Sequence, residues 1–88
     1  MEVQFDPGKA AHNRRKHGVS FSRAEEALME VNALTIEDPD AIRERRWITM
    51  GMDTLGRVLV VVHAETVGAL RIISARKASP GEARQYHA

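Results

Sequence analysis

The sequence contains no cysteine and no long apolar run, and both absences narrow the classes of protein to which it can belong. Without cysteine there is no disulfide framework and no thiolate metal site, which is typical of a reducing cytosol. The longest unbroken apolar run, Val58 to Val62, is far too short to cross a bilayer. Met1 to Asp6 contains acidic residues and no apolar core, unlike a secretory signal. We therefore expect a soluble cytoplasmic protein with no membrane partner.

Motifs of several common enzyme classes are also missing. The sequence has no Gly-x-Ser-x-Gly elbow, no phosphate-binding glycine loop and no pair of carboxylates at a useful spacing. His12 and His17 are five residues apart on a predicted helix, so we expect that they do not share a face. These absences argue against serine hydrolases, nucleotide-binding proteins and two-metal enzymes. The sequence predicts no metal site and no cofactor.

Charge is unevenly distributed along the 88 residues, which are predicted to form one domain, 1–88. Residues 1–24 hold five Lys or Arg and two acidic residues, and residues 45–88 hold seven and three. Residues 25–44 hold one Arg and seven acidic residues. Basic ends and an acidic middle can create a positive face, as expected of a phosphate binder. Equally, the acidic segment can neutralise the basic one within the fold.

Periodicity and capping signals predict the element order β-α-α-β-β-β-β-α. Asp6 and Pro7 begin a helix that ends at Gly18, and Ser20 or Ser22 begins the next, with Ser22-Arg23-Ala24-Glu25 as a capping box. A second capping box, Ser79-Pro80-Gly81-Glu82, opens a short last helix. The predicted strands are Val3 to Phe5, Ala33 to Ile36, Arg46 to Met52, Arg57 to Glu65 (the central strand) and Leu70 to Lys77. This is an α+β domain with helices on a twisted, mainly antiparallel sheet.

The last predicted strand, Leu70 to Lys77, carries three cations on an otherwise apolar segment. Strict alternation places Arg76 on the same face as Ile72. The same alternation places Arg71 and Lys77 on the opposite face. Cations in such a strand are costly unless an anion meets them, and that anion is either a carboxylate of this protein or a nucleic-acid phosphate.

Two stretches of the chain resemble the BrnT family of toxins. The first is Phe5-Asp6-Pro7-x-Lys9-Ala10-x-x-Asn13-x-x-Lys16-His17-Gly18-Val19-Ser20-Phe21, with Ala24. The second contains Glu44-x-Arg46-Trp47, Gly51, Gly56-Arg57-Val58-Leu59-Val60-Val61-Val62 and Arg71-Ile72-Ile73-Ser74-Ala75-Arg76-Lys77-Ala78. The resemblance covers essentially the whole chain. Phe5 stands where the family usually has Trp, which should preserve the packing role.

The resemblance implies a RelE-like fold and a ribonuclease that inhibits translation as the toxin of a type II toxin–antitoxin module. It also implies a protein partner, a BrnA-type antitoxin with a ribbon-helix-helix DNA-binding region. The toxin–antitoxin complex would repress its own operon, so that operator DNA is contacted only through that complex.

Metal-free RNA cleavage needs a base for the 2′-hydroxyl, cations for the charge of the phosphorane and an acid for the leaving 5′-oxygen. Arg46 and Arg76 suit the phosphate, because a guanidinium presents a planar fork to two oxygens. His17 suits acid–base work, and the neighbouring Lys16 would favour its neutral form. The predicted catalytic residues are Arg46, Arg76, His17 and Tyr86, and the predicted RNA-binding residues are Lys16, Trp47, Arg71 and Lys77.

Each assignment has a structural alternative. Both arginines could pair with Glu44, Glu65 or the acidic helix. His17 could cap the first helix. Tyr86, placed near the C-terminus as in RelE-like toxins, could act as an acid, stack on a base or pack the last helix onto the sheet. Trp47 could stack a base or belong to a core or interface.

Two other functions remain open on the sequence alone. The chain could be a non-catalytic co-repressor that binds nucleic acid or antitoxin, or an interaction domain whose cations are paired internally. A ribonuclease would cleave RNA, and a co-repressor would bind it in a salt-sensitive way without cleavage. An interaction domain would not bind RNA even at low salt.

Overall fold

The computed structural model describes residues 2–88, and within them three helices and five strands follow the predicted order. The elements are β1 Glu2–Gln4, α1 Pro7–His17, α2 Phe21–Met29, β2 Leu34–Glu37, β3 Trp47–Met52, β4 Val58–Thr66, β5 Ala69–Lys77 and α3 Pro80–His87. The α+β class is therefore confirmed. No helix of this described range is long and apolar enough to span a membrane.

Local sequence signals set the ends of the first two helices. The Asp6 side chain accepts a hydrogen bond from the Gly8 amide (2.8 Å) and begins α1, which Gly18 ends with a positive φ of 69°. The Oγ of Ser20 accepts from the Arg23 amide and begins α2. The predicted capping box at Ser22 is wrong, because Ser22 lies within the first turn of α2.

The five strands form one sheet in the order β1-β5-β4-β3-β2, in which β1 runs parallel to β5 and the other neighbours are antiparallel. The predicted central position of β4 is confirmed. Helices α1 and α2 cover one face of the sheet, and the apolar core lies between these helices and the sheet. Its largest fully buried apolar side chains are Phe21, Leu59, Ile72, Val19 and Val61.

A β-bulge interrupts the pairing of β5 with β4. Val62 lies opposite Ser74, whereas the next residue of β4, His63, lies opposite Ile72. Ile73 is therefore an extra residue without a partner on β4. An extra residue breaks the two-residue alternation of the strand, so that side chains beyond it change face.

The bulge corrects the predicted faces of the cations on β5. Ile72 and Ala75 are both buried in the core beneath the helices, at 1% and 0% exposure. Arg71 and Arg76, each adjacent to one of these residues, therefore share the opposite face. Lys77 follows Arg76 and lies on the helix-covered side. The prediction that Arg76 shares a face with Ile72, and Arg71 with Lys77, is wrong.

Helix α3 crosses the face of the sheet that α1 and α2 leave uncovered, which we call the open face. The predicted capping box of α3 is confirmed, because Ser79 and Glu82 each bond the backbone amide of the other. Between α3 and the strands, the open face contains a groove of about 350 Å³. The apolar residues that line this groove are Leu34, Ile36, Ile48, Met50 and Val60.

Candidate nucleic-acid interface and active site

A cleft of about 470 Å³ lies between α1 and β5, and we call it the α1–β5 cleft. The predicted residues Lys16 and His17 line it from the last turn of α1, and Lys9 and His12 line it from earlier turns. Asp6 lies at its far end, and Ile73 and Ser74 of β5 form the opposite wall. The cleft thus brings two ammonium groups and two imidazoles to the edge of the strand that carries Arg71 and Arg76.

Asn13 fixes this cleft by joining α1 to β5. Its side chain is 4% exposed, and its Nδ2 donates to the carbonyls of Ala75 (2.8 Å) and Val19 (3.0 Å). Its Oδ1 accepts from the Ala75 amide at 3.0 Å. Because β1 pairs only with Ala69 to Arg71, the Asn13 amide takes the place of a neighbouring strand at Ala75. The β5 wall of the cleft is therefore joined to α1 by two hydrogen bonds at Ala75.

His12 and His17 both line this cleft, although residues five apart on a helix do not lie one above the other. His12 is exposed and His17 half-buried. Sequence reasoning also missed Lys9 and His12 as site residues. The available signal was the spacing of Lys9, His12 and Lys16, which follow one another at three and four residues and so line one surface of a helix.

Arg76 meets a carboxylate of this protein on the open face. Its guanidinium forms a two-point ion pair with Glu82 of α3, at 2.7 Å (Nη1–Oε1) and 2.9 Å (Nη2–Oε2). This pairing, helped by the Ser79 amide, lowers the pKa of Glu82 to about 2. Glu82 correspondingly raises the pKa of Arg76. Phosphate therefore has to compete with Glu82 for this guanidinium.

Arg71 and Arg46 share a second carboxylate, Glu44. Arg71 Nη2 donates to both oxygens of Glu44, at 2.9 and 3.1 Å. Arg46 Nε lies 3.7 Å from Glu44 Oε1 and, within residues 2–88, is buried without a hydrogen-bond partner. Of the predicted internal partners, the structure therefore uses Glu44, together with Glu82, which the sequence did not indicate. Glu65 pairs with neither Arg46 nor Arg76 among the described residues.

Tyr86 lies on the other side of the groove from Arg76. Its hydroxyl donates to Glu30 at the end of α2, and Glu30 also accepts from the Met52 and Asn32 amides. The carboxylate hydrogen bond raises the pKa of the Tyr86 hydroxyl and lowers that of Glu30. Tyr86 thus joins α3 to the end of α2.

Trp47 and Lys77 lie outside this group. Trp47 is opposite His63 on β4, on the helix-covered side of the sheet, and is half-buried. The Arg45 guanidinium covers its ring at 5.0 Å. Lys77 is exposed at the end of β5. The site residues brought together along β5 are therefore Lys16, His17, Arg71 and Arg76, with Arg46 joined through Glu44.

Metal ligands are not clustered in this region. Residues 2–88 contain no group of three or more His, Asp or Glu side chains placed to hold an ion. The charged groups available to a phosphate are the guanidinium and ammonium groups described above.

Two comparisons with known proteins give matches over most of the chain. A family model described as ribonuclease toxin, BrnT, of type II toxin-antitoxin system matches residues 5–82. Among solved structures, the 1.1 Å crystal structure of the Brucella abortus ribonuclease toxin, BrnT, is similar, with a TM-score of 0.70 and 26% sequence identity. The match covers 90% of this chain and 97% of that chain. No curated protein sequence matches.

Proposed function

This chain belongs to the BrnT family of ribonuclease toxins of type II toxin–antitoxin systems, and we propose that it cleaves RNA without a metal ion. In the proposed step a base takes the 2′-hydroxyl proton as the 2′-oxygen attacks the adjacent phosphorus. The bond from phosphorus to the 5′-oxygen then breaks, and an acid protonates that oxygen. The products carry a 2′,3′-cyclic phosphate and a 5′-hydroxyl.

One observation carries the proposal: β5 gathers the required groups. Its bulge leaves Arg71 and Arg76 on one face, and its edge borders the cleft that contains Lys16 and His17. Guanidinium and ammonium groups can stabilise the extra negative charge of the phosphorane, which is the role that a metal ion takes in other nucleases. His17 is then the acid or the base.

The remaining predicted residues have supporting roles in the proposal. Arg46 joins Arg71 through Glu44 and would bind phosphate together with it. Tyr86 is better suited to stack on a base than to give up a proton, because its hydrogen bond to Glu30 raises its pKa. Trp47, half-buried beneath Arg45, would stack a more distant base, and Lys77 would contact the RNA backbone.

The partner of the proposed toxin is a BrnA-type ribbon-helix-helix antitoxin. A type II system requires a protein that neutralises the toxin, and the exposed apolar side chains of the groove, including Leu34 and Ile36, suit a protein contact. Operator DNA would be bound only through the antitoxin, and the toxin would act in the cytoplasm. A mobility-shift titration tests this: the complex should bind the operator and the toxin alone should not.

A second candidate function is a non-catalytic co-repressor. Loss of catalysis is favoured by the pairing of all three candidate arginines with carboxylates, because a paired guanidinium is less available to stabilise a phosphorane. Arg76 pairs with Glu82, and Arg46 and Arg71 pair with Glu44. Such a module would bind RNA weakly, with strong dependence on salt, and would leave it intact.

Expression in cells separates the two functions. Wild type should arrest growth and leave new RNA 5′-hydroxyl ends, whereas Arg76→Ala should do neither while still binding antitoxin. Arg15→Ala removes an equal charge from the exposed side of α1, outside the cleft, and should behave as wild type. Full toxicity of a folded Arg76→Ala protein would contradict the assignment of this arginine.

A further inference from the structure

The α1–β5 cleft contains a second imidazole that the proposed step does not yet use. Along an α-helix, five residues correspond to a rise of about 7.5 Å, so His12 and His17 are separated rather than stacked. Both nevertheless line the cleft. In-line cleavage uses an acid and a base on opposite sides of phosphorus, because the attacking and leaving oxygens lie there, so two separated imidazoles suit it.

These imidazoles differ from the groups on the open face in their hydrogen-bond partners. Arg76 and Tyr86 are held by carboxylates of the chain. Within the described part of the chain, no hydrogen bond or ion pair engages the ring of His12 or His17, and His12 is exposed. A substrate can therefore reach these rings without first displacing a protein group.

The charges around the imidazoles also suit a phosphodiester. Lys9 and Lys16 face the cleft from α1, and neither forms an ion pair within residues 2–88. Asp6 is the acidic group at the cleft, and its Oδ1 is occupied by the Gly8 amide. From the β5 side, Ile73 and Ser74 contribute no charge. The charge of the cleft side chains is therefore positive overall, which favours an anion between the two lysines.

We propose that His12 is the second acid–base residue and that the scissile phosphodiester of single-stranded RNA binds in the α1–β5 cleft; this inference rests on the proposed metal-free cleavage. One imidazole takes the 2′-hydroxyl proton as the new oxygen–phosphorus bond forms. The other donates a proton to the 5′-oxygen as its bond to phosphorus breaks. Lys9 and Lys16 hold the phosphate between the rings, and the arginines of the open face add to the positive charge that stabilises it.

The test compares His12→Gln and His17→Gln with wild type on free RNA in EDTA and, in a separate assay that keeps its Mg²⁺, on messenger RNA in translating ribosomes. Arg15→Gln on the same helix, outside the cleft, is the control. Each histidine variant should cleave about 10²- to 10⁴-fold more slowly. Affinity for an uncleavable 2′-deoxy oligonucleotide should change less than about threefold, well under one tenfold step in Kd.

A substrate with sulfur in place of the leaving 5′-oxygen identifies the acid, since a thiolate leaves without protonation. This substrate should restore cleavage by one histidine variant and not by the other. If His12→Gln cleaves as fast as wild type, or loses binding as much as cleavage, the role of His12 is overturned while the proposed function stands. If wild type cleaves neither RNA sample, both proposals fail.

Discussion

Arg76 and Glu82 form a two-point ion pair that joins the end of β5 to the first turn of α3, with N–O distances of 2.7 and 2.9 Å. The same carboxylate accepts the Ser79 amide in the capping box of α3. One residue therefore stabilises the start of the helix and occupies the guanidinium that is proposed to bind phosphate. RNA bound at Arg76 has to compete with Glu82 for this guanidinium.

Glu82→Gln should consequently strengthen RNA binding. Gln still accepts the Ser79 amide, as in other capping boxes, but no longer competes with phosphate through a charge. A partly exposed ion pair contributes about 0.2–1 kcal/mol, so we expect Kd to fall about 1.5- to 5-fold. Fluorescence anisotropy with a labelled 2′-deoxy oligonucleotide measures this change. The control Glu25→Gln, exposed on α2, removes an equal charge, and an equal gain there would show that only net charge matters.

The acid titration of Glu82 should occur at about pH 2, because Arg76 and the Ser79 amide stabilise its carboxylate. A carboxyl group whose pKa is lower in the folded chain stabilises the fold above its unfolded pKa, here 4.5. That contribution is lost as pH falls from about 4.5 to about 2. Carbon-detected NMR follows the side chain directly. In Arg76→Ala the midpoint should rise towards 4.5, and an unchanged midpoint would mean that the pair does not form in solution.

Asn13→Ala should destabilise the fold by about 2–3 kcal/mol. The substitution leaves the amide and carbonyl of Ala75 and the carbonyl of Val19 without their partner, and buried polar groups without partners are costly. Urea denaturation followed by circular dichroism measures the free energy of unfolding. Asn32→Ala is the matched control, because this exposed side chain makes no hydrogen bond among the described residues. Equal stabilities of the two variants would show that the Asn13 hydrogen bonds to Ala75 and Val19 do not stabilise the fold.

Gly51→Ala should also lower the free energy of unfolding, by about 1–3 kcal/mol. A Cβ at Gly51 would lie 2.0 Å from the carbonyl oxygen of Ala27, so α2 would have to move away from β3. Gly81→Ala makes the same chemical change in α3, where the nearest atom is the Arg84 Nη2 at 3.8 Å. Alanine favours a helix, so Gly81→Ala should be neutral or stabilising. Thermal melting of both variants tests the contrast.

The sequence was sufficient to predict the elements but not the faces of β5. Caps such as Asp6 and Ser79 are local signals of where helices begin. The apolar patterns of β3 and β4 likewise identify these segments as strands, with β4 at the centre of the sheet. The bulge at Ile73 has no such signal, since Ile72-Ile73-Ser74 continues the apolar strand. Because one extra residue reverses the alternation, the shared face of Arg71 and Arg76 became visible only in the pairing with β4.

The sequence was sufficient to predict which residue types form the candidate site, but not which of these residues contact one another. His17 and Lys16 followed from their positions at the end of α1. The cleft that joins them to His12 depends on β5 as its second wall, which helix geometry alone does not include. Similarly, the pairing of Arg76 with Glu82 depends on how α3 folds back over the open face.

The central claim is metal-free cleavage of RNA by groups arranged along β5. The most direct measurement incubates the purified chain with mixed RNA in excess EDTA, beside Arg76→Ala, and determines the chemistry of the new ends. The account predicts cleavage by wild type alone, with 2′,3′-cyclic or 3′-phosphate ends and 5′-hydroxyls. Cleavage that requires an added divalent cation, or equal cleavage by a folded Arg76→Ala protein, would contradict it.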